Sequence, residues 1–494
     1  MTPRTDVLPS LDPTTGEVVA EHPVSGPDDV RAAVAAAREA AAWWGGLPPG
    51  ERRDHLLAWK RAIARGADEL AALIRRETGK PLEDAGLEVM LAVEHLDWAA
   101  RHAHRVLRAR RVRPGALAAN LRATLEYQPL GVIGVIGPWN YPLYTPMGSV
   151  SYALAAGNAV VFKPSEYTPG VGRWLADRWA GLLPDHPVLQ VVVGRGETGA
   201  ALCRAGVDKV AFTGSTATAK LVMAACAESL TPLVVEAGGK DALIVAADAD
   251  VEAAAAAAVF GGLGNAGQTC AGVERVYVVD AVAERFVRAV REKAAALRPG
   301  ADEGADYGPM TTPGQPDVVA RHVADALARG GRAVVGGPES VRAPFVEPVV
   351  LADVPEDSTA VTEETFGPTL VVNRVADLDD AVRRTNAVAL GLAASVFGRD
   401  RRAAADVARR LRVGAASVNT VLGFAAVPAL PFGGVGDSGF GRIHAADGLR
   451  EFSRAKAVTV KRFPAPVDLL RFDRDPRAVA LAWRVFRLRH ARGR

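Results

Sequence analysis

Five short apolar runs follow one another between residues 131 and 239. They are "GVIGVIG" (131–137), "NAVVFK" (158–163), "LQVVVG" (189–194), "DKVAFTG" (208–214) and "TPLVVEAGG" (231–239). Stretches able to form helices (144–156, 168–182 and 215–227) lie between most of them. Apolar strands that alternate with helices indicate a parallel sheet covered on both faces. Such sheets bind ligands beyond the carboxyl ends of their strands. A second alternating region runs from about 240 to 430, with candidate strands at 241–246, 274–279, 369–375 and 394–398 and helices at 282–297 and 315–329. The fold class is therefore α/β. Ahead of these regions, 27–43 reads as a helix with Ser25 as its cap and Val30, Val34 and Ala37 on its apolar side. Two longer helical runs follow, at 51–78 and 82–108; residues 121–130 and 457–463 read as strands.

At 494 residues the chain exceeds one ordinary core, so two or three domains are expected. Hydrophobic residues at 49% and charged residues at 23% fit a soluble globular protein. No apolar run reaches the roughly 18 residues that a membrane span needs, and the polar N-terminus lacks a signal core. Three cysteines (Cys203, Cys226, Cys270) cannot build a disulfide framework, which points to a reducing cytoplasm. No Cys/His cluster has metal-ligand spacing, so no metal is expected. The net charge of +3 is uneven. Residues 461–494 hold ten Lys/Arg against three Asp, a net of +7, which leaves 3 − 7 = −4 for the rest. The body gives no electrostatic reason to expect nucleic acid.

Several short motifs carry chemistry, and each has a plainer alternative. In "GPWNYP" (137–142), Asn140 follows a strand and could donate to a developing oxyanion, or close an Asx turn. In "KPSE" (163–166), Lys163 and Glu166 could meet a ribose, or form a solvated loop. "FTGSTATA" (212–219) offers main-chain donors at a helix start, suited to a pyrophosphate, but it is not a GxGxxG fingerprint. Glu236 ends a wholly apolar strand, where burial should raise its pKa toward that of a general base; a strand-end ion pair is the alternative. Cys270 lies in "GNAGQTCAG" (264–272), without aliphatic neighbours in sequence. It is either a reactive thiol on a loop or a small packing residue. Cys203 and Cys226, in helical apolar context, read as packing residues. "EETFGP" (363–368) offers Glu364 and Phe366 for a second ribose and a flat ring, and "PFGGVGDSGFGR" (431–442) reads as structural.

Taken together and in this order, "GVIGPWNYP", "GNAVVFKPSE", "FTGST", "EAGGKD", "GQTCAG", "EETFGP", the Val418–Asn419 pair and "PFGG…SGFGR" resemble the aldehyde dehydrogenase superfamily over nearly the whole chain. The resemblance implies a Rossmann-like NAD(P)-binding domain (1–110 and 131–238), an α/β catalytic domain (239–437) and a small β oligomerisation element (111–130 and 452–465). A basic tail (466–494) follows. It implies Cys270 as nucleophile, Glu236 as general base, and Asn140 with the Cys270 N–H as oxyanion donors. Cofactor contacts carry over to Ile136, Pro138, Trp139, Lys163, Ser165, Glu166, Gly214, Ser215, Gly238, Glu364 and Phe366. Three positions depart from the family pattern: Ala237 stands for leucine, Ala219 for glycine, and Ile443 for glutamate. The "GR-x-H" ending with His444 is similar to bacterial semialdehyde and class-3-like fatty aldehyde enzymes.

The expected reaction is oxidation of an aldehyde to its carboxylic acid through a cysteine hemithioacetal and thioester. The presence of Glu236 places a hydrolytic enzyme ahead of one that passes the acyl group to coenzyme A. Glu166 would repel a 2′-phosphate, which favours NAD over NADP. Neither the helix after Asn140 nor the loop 420–431 contains Lys or Arg. A desolvated carboxylate would need a cation there, so an apolar aliphatic or aromatic aldehyde is expected over succinate semialdehyde. A homodimer or homotetramer is implied. The tail segment 475–490 reads as a helix opened by Asp-Pro, with Val479, Ala482, Trp483 and Phe486 on one face. It would touch an anionic membrane or pack on a neighbouring domain or subunit.

Overall fold

The computed structural model describes residues 6–115, 118–465 and 471–491. The chain divides into two compact units. The larger comprises residues 1–106 and 129–453, the smaller 107–128 and 454–494.

The larger unit is built on two sheets. The first has six strands in the order Gly439–Phe440, Leu233–Ala237, Lys209–Gly214, Val132–Ile136, Ala159–Lys163 and Leu189–Val191. All pair in parallel except the short edge strand, where Gly439 lies antiparallel to Glu236. The chain starts in the middle at Val132–Ile136, grows one way through 159–163 and 189–191, then returns to add 209–214 on the other side. This reversal leaves a crevice at the carboxyl ends of the two central strands, where ligands bind in such sheets. The second sheet has seven strands, with Val273–Val279 and Asp241–Val245 near its centre and Ala393–Phe397 beyond. Strands 132–136, 159–163, 241–245, 273–279 and 393–397 are buried at every residue. Helices cover both faces of a parallel sheet, so such strands have no wet side and no polar alternation.

The expected helices form, with two corrections at their ends. The first spans Pro27–Gly46 and buries Val30, Val34 and Ala37, but its cap is Gly26. The Gly26 N–H donates to the Asp29 carboxylate at 2.9 Å. Ser25 is engaged elsewhere: its hydroxyl accepts from the Val193 N–H at 3.1 Å, and its own N–H donates to Val193 O at 2.7 Å. The long run 51–78 is two helices, Pro49–Arg65 and Ala67–Thr78, that meet at Gly66. A Cβ at Gly66 would lie 2.6 Å from the Trp174 ring, so the turn there requires glycine. A further helix, Gly196–Arg204, joins strand Leu189–Val191 to strand Lys209–Gly214; its glycines mask its periodicity in sequence.

In the smaller unit, Arg110–Val112, Leu121–Pro129 and Ser453–Lys461 form one three-stranded sheet. A helix, Pro476–His490, follows. Asp475 caps it, accepting from the Arg477 N–H at 2.9 Å, and none of its residues is buried. Among the described residues no helix is long and apolar enough to cross a membrane.

Candidate active site

The loop that carries Cys270 is shaped by its backbone. The helix Val251–Leu263 is capped by Asp250, whose carboxylate accepts from the Glu252 and Ala253 N–H groups at 3.1 Å. After it, Asn265, Ala266 and Gly267 all adopt positive φ (53°, 55° and 70°). This turn is disfavoured for L-residues, and the structure holds it in place. The Gln268 side chain donates to Asn265 O at 3.0 Å and accepts from the Thr311 N–H at 2.8 Å. A Cβ at Gly267 would strike Gly367 O at 2.0 Å. Cys270 is half-buried and packs against the buried cluster of Ala271, Leu392 and Ala393, on which Leu422, Phe424 and Phe432 also pack. The aliphatic neighbours missing from the local sequence are supplied by distant segments.

Asn140 stands four residues past the central strand Val132–Ile136. Its side-chain amide is buried and donates to Gln268 O at 3.0 Å, so it does not close an Asx turn. Glu236 ends the neighbouring strand but one, also buried, and neither carboxyl oxygen has a hydrogen-bond partner among the described residues. Burial raises its pKa to about 7, against the opposing influence of the Cys270 thiol and the Thr213 hydroxyl nearby. This agrees with the raised value expected for a carboxylate next to buried surface. Desolvation also pushes the Cys270 thiol well above its usual value, and the Glu236 carboxylate pushes it further.

The glycine-rich segment 431–442 seals the back of this pair. The Ser438 hydroxyl donates to Gly238 O at 2.7 Å, and Ser438 O accepts from the Ala237 N–H at 3.0 Å. Gly439, at φ 104°, sits so close to Val235 O that a Cβ would come within 2.1 Å. Ala237 is buried at the strand end, and Ala219 is buried on the helix Thr216–Ala227. His444 is buried against His95, ring centroids 4.0 Å apart, and its pKa falls well below the usual value through burial.

The remaining expected residues extend from this centre. Lys163 ends its strand buried, with Nζ 3.4 Å from Glu166 and 3.2 Å from Pro164 O, and burial lowers its pKa. The Ser165 hydroxyl accepts from the Tyr167 N–H at 3.3 Å. Ser215 caps the helix Thr216–Ala227, accepting from the Thr218 N–H at 3.2 Å, with Gly214 just before it. Glu364 accepts from the Gly239 N–H at 2.9 Å. Burial and the neighbouring Glu274 push its pKa up to about 8. Gly238 lies so close beneath it that a Cβ would stand 2.2 Å from the carboxyl. Phe366, at φ 51°, packs edge-on to Trp139 with centroids 5.5 Å apart.

Every one of these residues, with Ile136 and Pro138, lines one cavity of about 930 Å³ that runs from Glu166 and Ser215 to Cys270. Its residues fit a dinucleotide. A capped helix start faces it, polar groups able to meet ribose hydroxyls flank it, and two carboxylates, the buried Glu236 and the half-buried Glu364, line the end near Cys270. Tyr167, Gly199, Thr213, Gln315 and Arg321 also line it and escape a sequence reading. Lys240 and Glu274 are missed as well. They form a buried ion pair, and the Glu274 carboxylate accepts from the Thr365 and Phe366 N–H groups. No local pattern marks these residues, because their partners lie far along the chain.

Known proteins are similar to this chain over most of its length. Residues 1–458 match the model of the aldehyde dehydrogenase family. A 4,4'-diapolycopene aldehyde oxidase from a Methylomonas species is 39% identical over 464 residues, covering 93% of this chain and 87% of that protein. A probable succinate-semialdehyde dehydrogenase [NADP(+)] of Sinorhizobium fredii is 36% identical over 456 residues, covering 91% and 92%. The crystal structure of an NAD-dependent aldehyde dehydrogenase from Sinorhizobium meliloti superposes with a TM-score of 0.88 at 32% identity, covering 93% of each chain.

Proposed function

The chain belongs to the aldehyde dehydrogenase family, and from that premise we propose that Cys270, Glu236 and Asn140 carry the oxidation of an aldehyde to its carboxylic acid. The enzyme is an NAD(P)-dependent oxidoreductase acting on the aldehyde group. The observation that carries the residue assignment is the single cavity in which a thiol, an unpartnered carboxylate and an amide meet at the end of a dinucleotide-shaped groove.

In this reading the Cys270 thiol passes its proton to the Glu236 carboxylate, which a pKa of about 7 suits. The thiolate adds to the aldehyde carbon. The Asn140 amide and the Cys270 N–H hold the oxyanion, and one such donor is typically worth about 2.7–4 kcal/mol. When bound, the nicotinamide supplies the hydride acceptor. Lys163, Glu166, Ser215 and Glu364 would hold the cofactor, and Phe366 and Trp139 would flank its ring. Glu236 releases the thiol proton to solvent and, again a carboxylate, takes one from water, which attacks the Cys270 thioester; the departing thiolate recovers the proton from Glu236 as the acid leaves. The presence of that base supports hydrolysis over transfer of the acyl group to coenzyme A. We assign the first sheet and its helices (1–110 and 131–238) to the cofactor and 239–437 to catalysis.

Cys270→Ala tests the mechanism. It should lose aldehyde-dependent NAD(P)H formation while still binding NAD(P)H, read by fluorescence titration. Near-normal turnover in that variant would sink the assignment.

The substrate we favour is an apolar aliphatic or aromatic aldehyde. The apolar cluster of Ala271, Leu392 and Ala393 that Cys270 packs against, and that Leu422, Phe424 and Phe432 extend, supports it. One relative carries a diapolycopene aldehyde in its name and another succinate semialdehyde, so a carboxylated substrate is the rival. NAD is favoured over NADP because the Glu166 carboxylate on the cavity wall would repel a 2′-phosphate. The other partners in this reading are further copies of the chain, as a dimer or tetramer. We assign that contact to the three-stranded sheet, whose strand Ser453–Lys461 is largely exposed. We assign the C-terminal helix to an anionic membrane surface, and the enzyme to a reducing cytoplasm, which its three free cysteines support.

A further inference from the structure

The segment between Gly137 and Tyr144 carries Asn140 but lies between a strand and a helix and belongs to neither. Two side chains from another part of the chain hold it. Lys80 stands in the turn after the helix Ala67–Thr78, and Glu88 is on the helix Leu82–Leu107. They form an ion pair at 2.8 Å whose side chains are 1% and 0% exposed. The Lys80 ammonium also donates to Asn140 O at 2.7 Å and sits 4.2 Å above the centre of the Tyr141 ring. The other Glu88 oxygen accepts from the Leu143 and Tyr144 N–H groups at 2.8 and 3.1 Å. Residues 140, 141, 143 and 144 are thus fastened to one buried pair. Tyr141 passes the constraint on, with its hydroxyl 2.9 Å from that of Thr269, next to Cys270.

Burying two charges is expensive, and a packed apolar pair of equal volume is often as stable or more so. Stability alone is a poor reason for this pair. Beyond their mutual contact, its hydrogen bonds to the rest of the chain run to the Asn140 segment. We propose that Lys80 and Glu88 are positioning residues, which fix the Asn140 amide against the Cys270 loop so that both oxyanion donors face one point. The proposal rests on the reading of Asn140 as an oxyanion donor. It gives the pair a catalytic consequence without contact to substrate or cofactor.

A kinetic double-mutant cycle tests it. Lys80→Met keeps the volume and removes the charge, and Glu88→Gln keeps the shape and stands in if the first variant fails to fold. NADH binding, followed by fluorescence titration, should stay at the wild-type Kd in both. Displacing a catalytic group by about 1 Å costs on the order of 10²-fold in rate, so kcat for Lys80→Met should fall by about that factor. In an Asn140→Ala background the same substitution should add little further loss, because the two act as one unit. Full additivity of the two losses, or a wild-type kcat in a folded variant, overturns the proposal and leaves the oxyanion reading standing. A wild-type kcat in Asn140→Ala alone overturns both.

Discussion

Glu236 shows most clearly how one residue can be read twice. In sequence it is a carboxylate at the end of an apolar strand, and the structure leaves both its oxygens buried without a partner. The cause of its raised pKa is desolvation, which disfavours the charged form. A carboxyl whose folded pKa lies above its unfolded value binds more protons when folded. Native stability therefore falls as pH rises from the ordinary carboxyl range through about 7. Glu236→Gln removes that penalty. The variant should melt at a higher temperature than the wild type at pH 8, with the difference shrinking toward pH 5. It should also lose both steps that use this base, so that neither a burst of NADH nor steady turnover is seen on adding aldehyde. An unchanged melting difference across that pH range would count against a buried, unpaired carboxylate. Cys203 and Cys226 are the contrasting case: both are buried, as helical apolar context suggests, yet Cys203 also reaches the cavity wall.

At the scale of elements, loops decide what strands only offer. The parallel strands were legible as apolar runs because both faces are buried, and their ends fell within two residues of the expected positions except at 189–194, where the strand stops at Val191. The break at Gly66 was not legible, since Trp174 forces it from about a hundred residues away. The loop 420–431 matters most for substrate. It brings Leu422 and Phe424 onto the apolar cluster that Cys270 also packs against, and neither it nor the helix Tyr144–Ala155 carries a Lys or Arg to meet a carboxylate. A screen of aldehydes with NAD and with NADP checks this. Hexanal and benzaldehyde should show higher kcat/KM than succinate semialdehyde, and NAD should exceed NADP. The reverse order for succinate semialdehyde would mean that a cation reaches the tunnel from elsewhere.

At the scale of the whole molecule, the C-terminal helix is the part that the catalytic reading does not use. Leu481, Trp483, Val485, Phe486 and Leu488 are all exposed on it, beside Arg477, Arg484, Arg487 and Arg489. Aromatic and aliphatic residues alongside arginines suit the boundary of an anionic bilayer. The full chain should co-sediment with vesicles containing phosphatidylserine and less so with neutral ones, and a chain ending at residue 465 should remain in solution with its aldehyde activity kept. Equal sedimentation of both, or a loss of oligomer on truncation, would assign the helix to a protein contact instead. The sequence by itself determined the α/β class and the strands, and through its resemblance to a family it marked Cys270, Glu236 and Asn140 as candidates, whereas Tyr167, Gly199, Thr213, Gln315 and Arg321 gave no sign of lining the cavity. The strands and the Cys270 loop leave a local signature: a buried strand is apolar throughout, and a reactive loop is small and glycine-rich. Only the tertiary structure decided the environment of those residues. It surrounds Cys270 with apolar side chains, leaves Glu236 dry, and braces Asn140 with the Lys80–Glu88 pair. Desolvation and close polar contact depend on groups that are distant along the chain and adjacent only once it has folded.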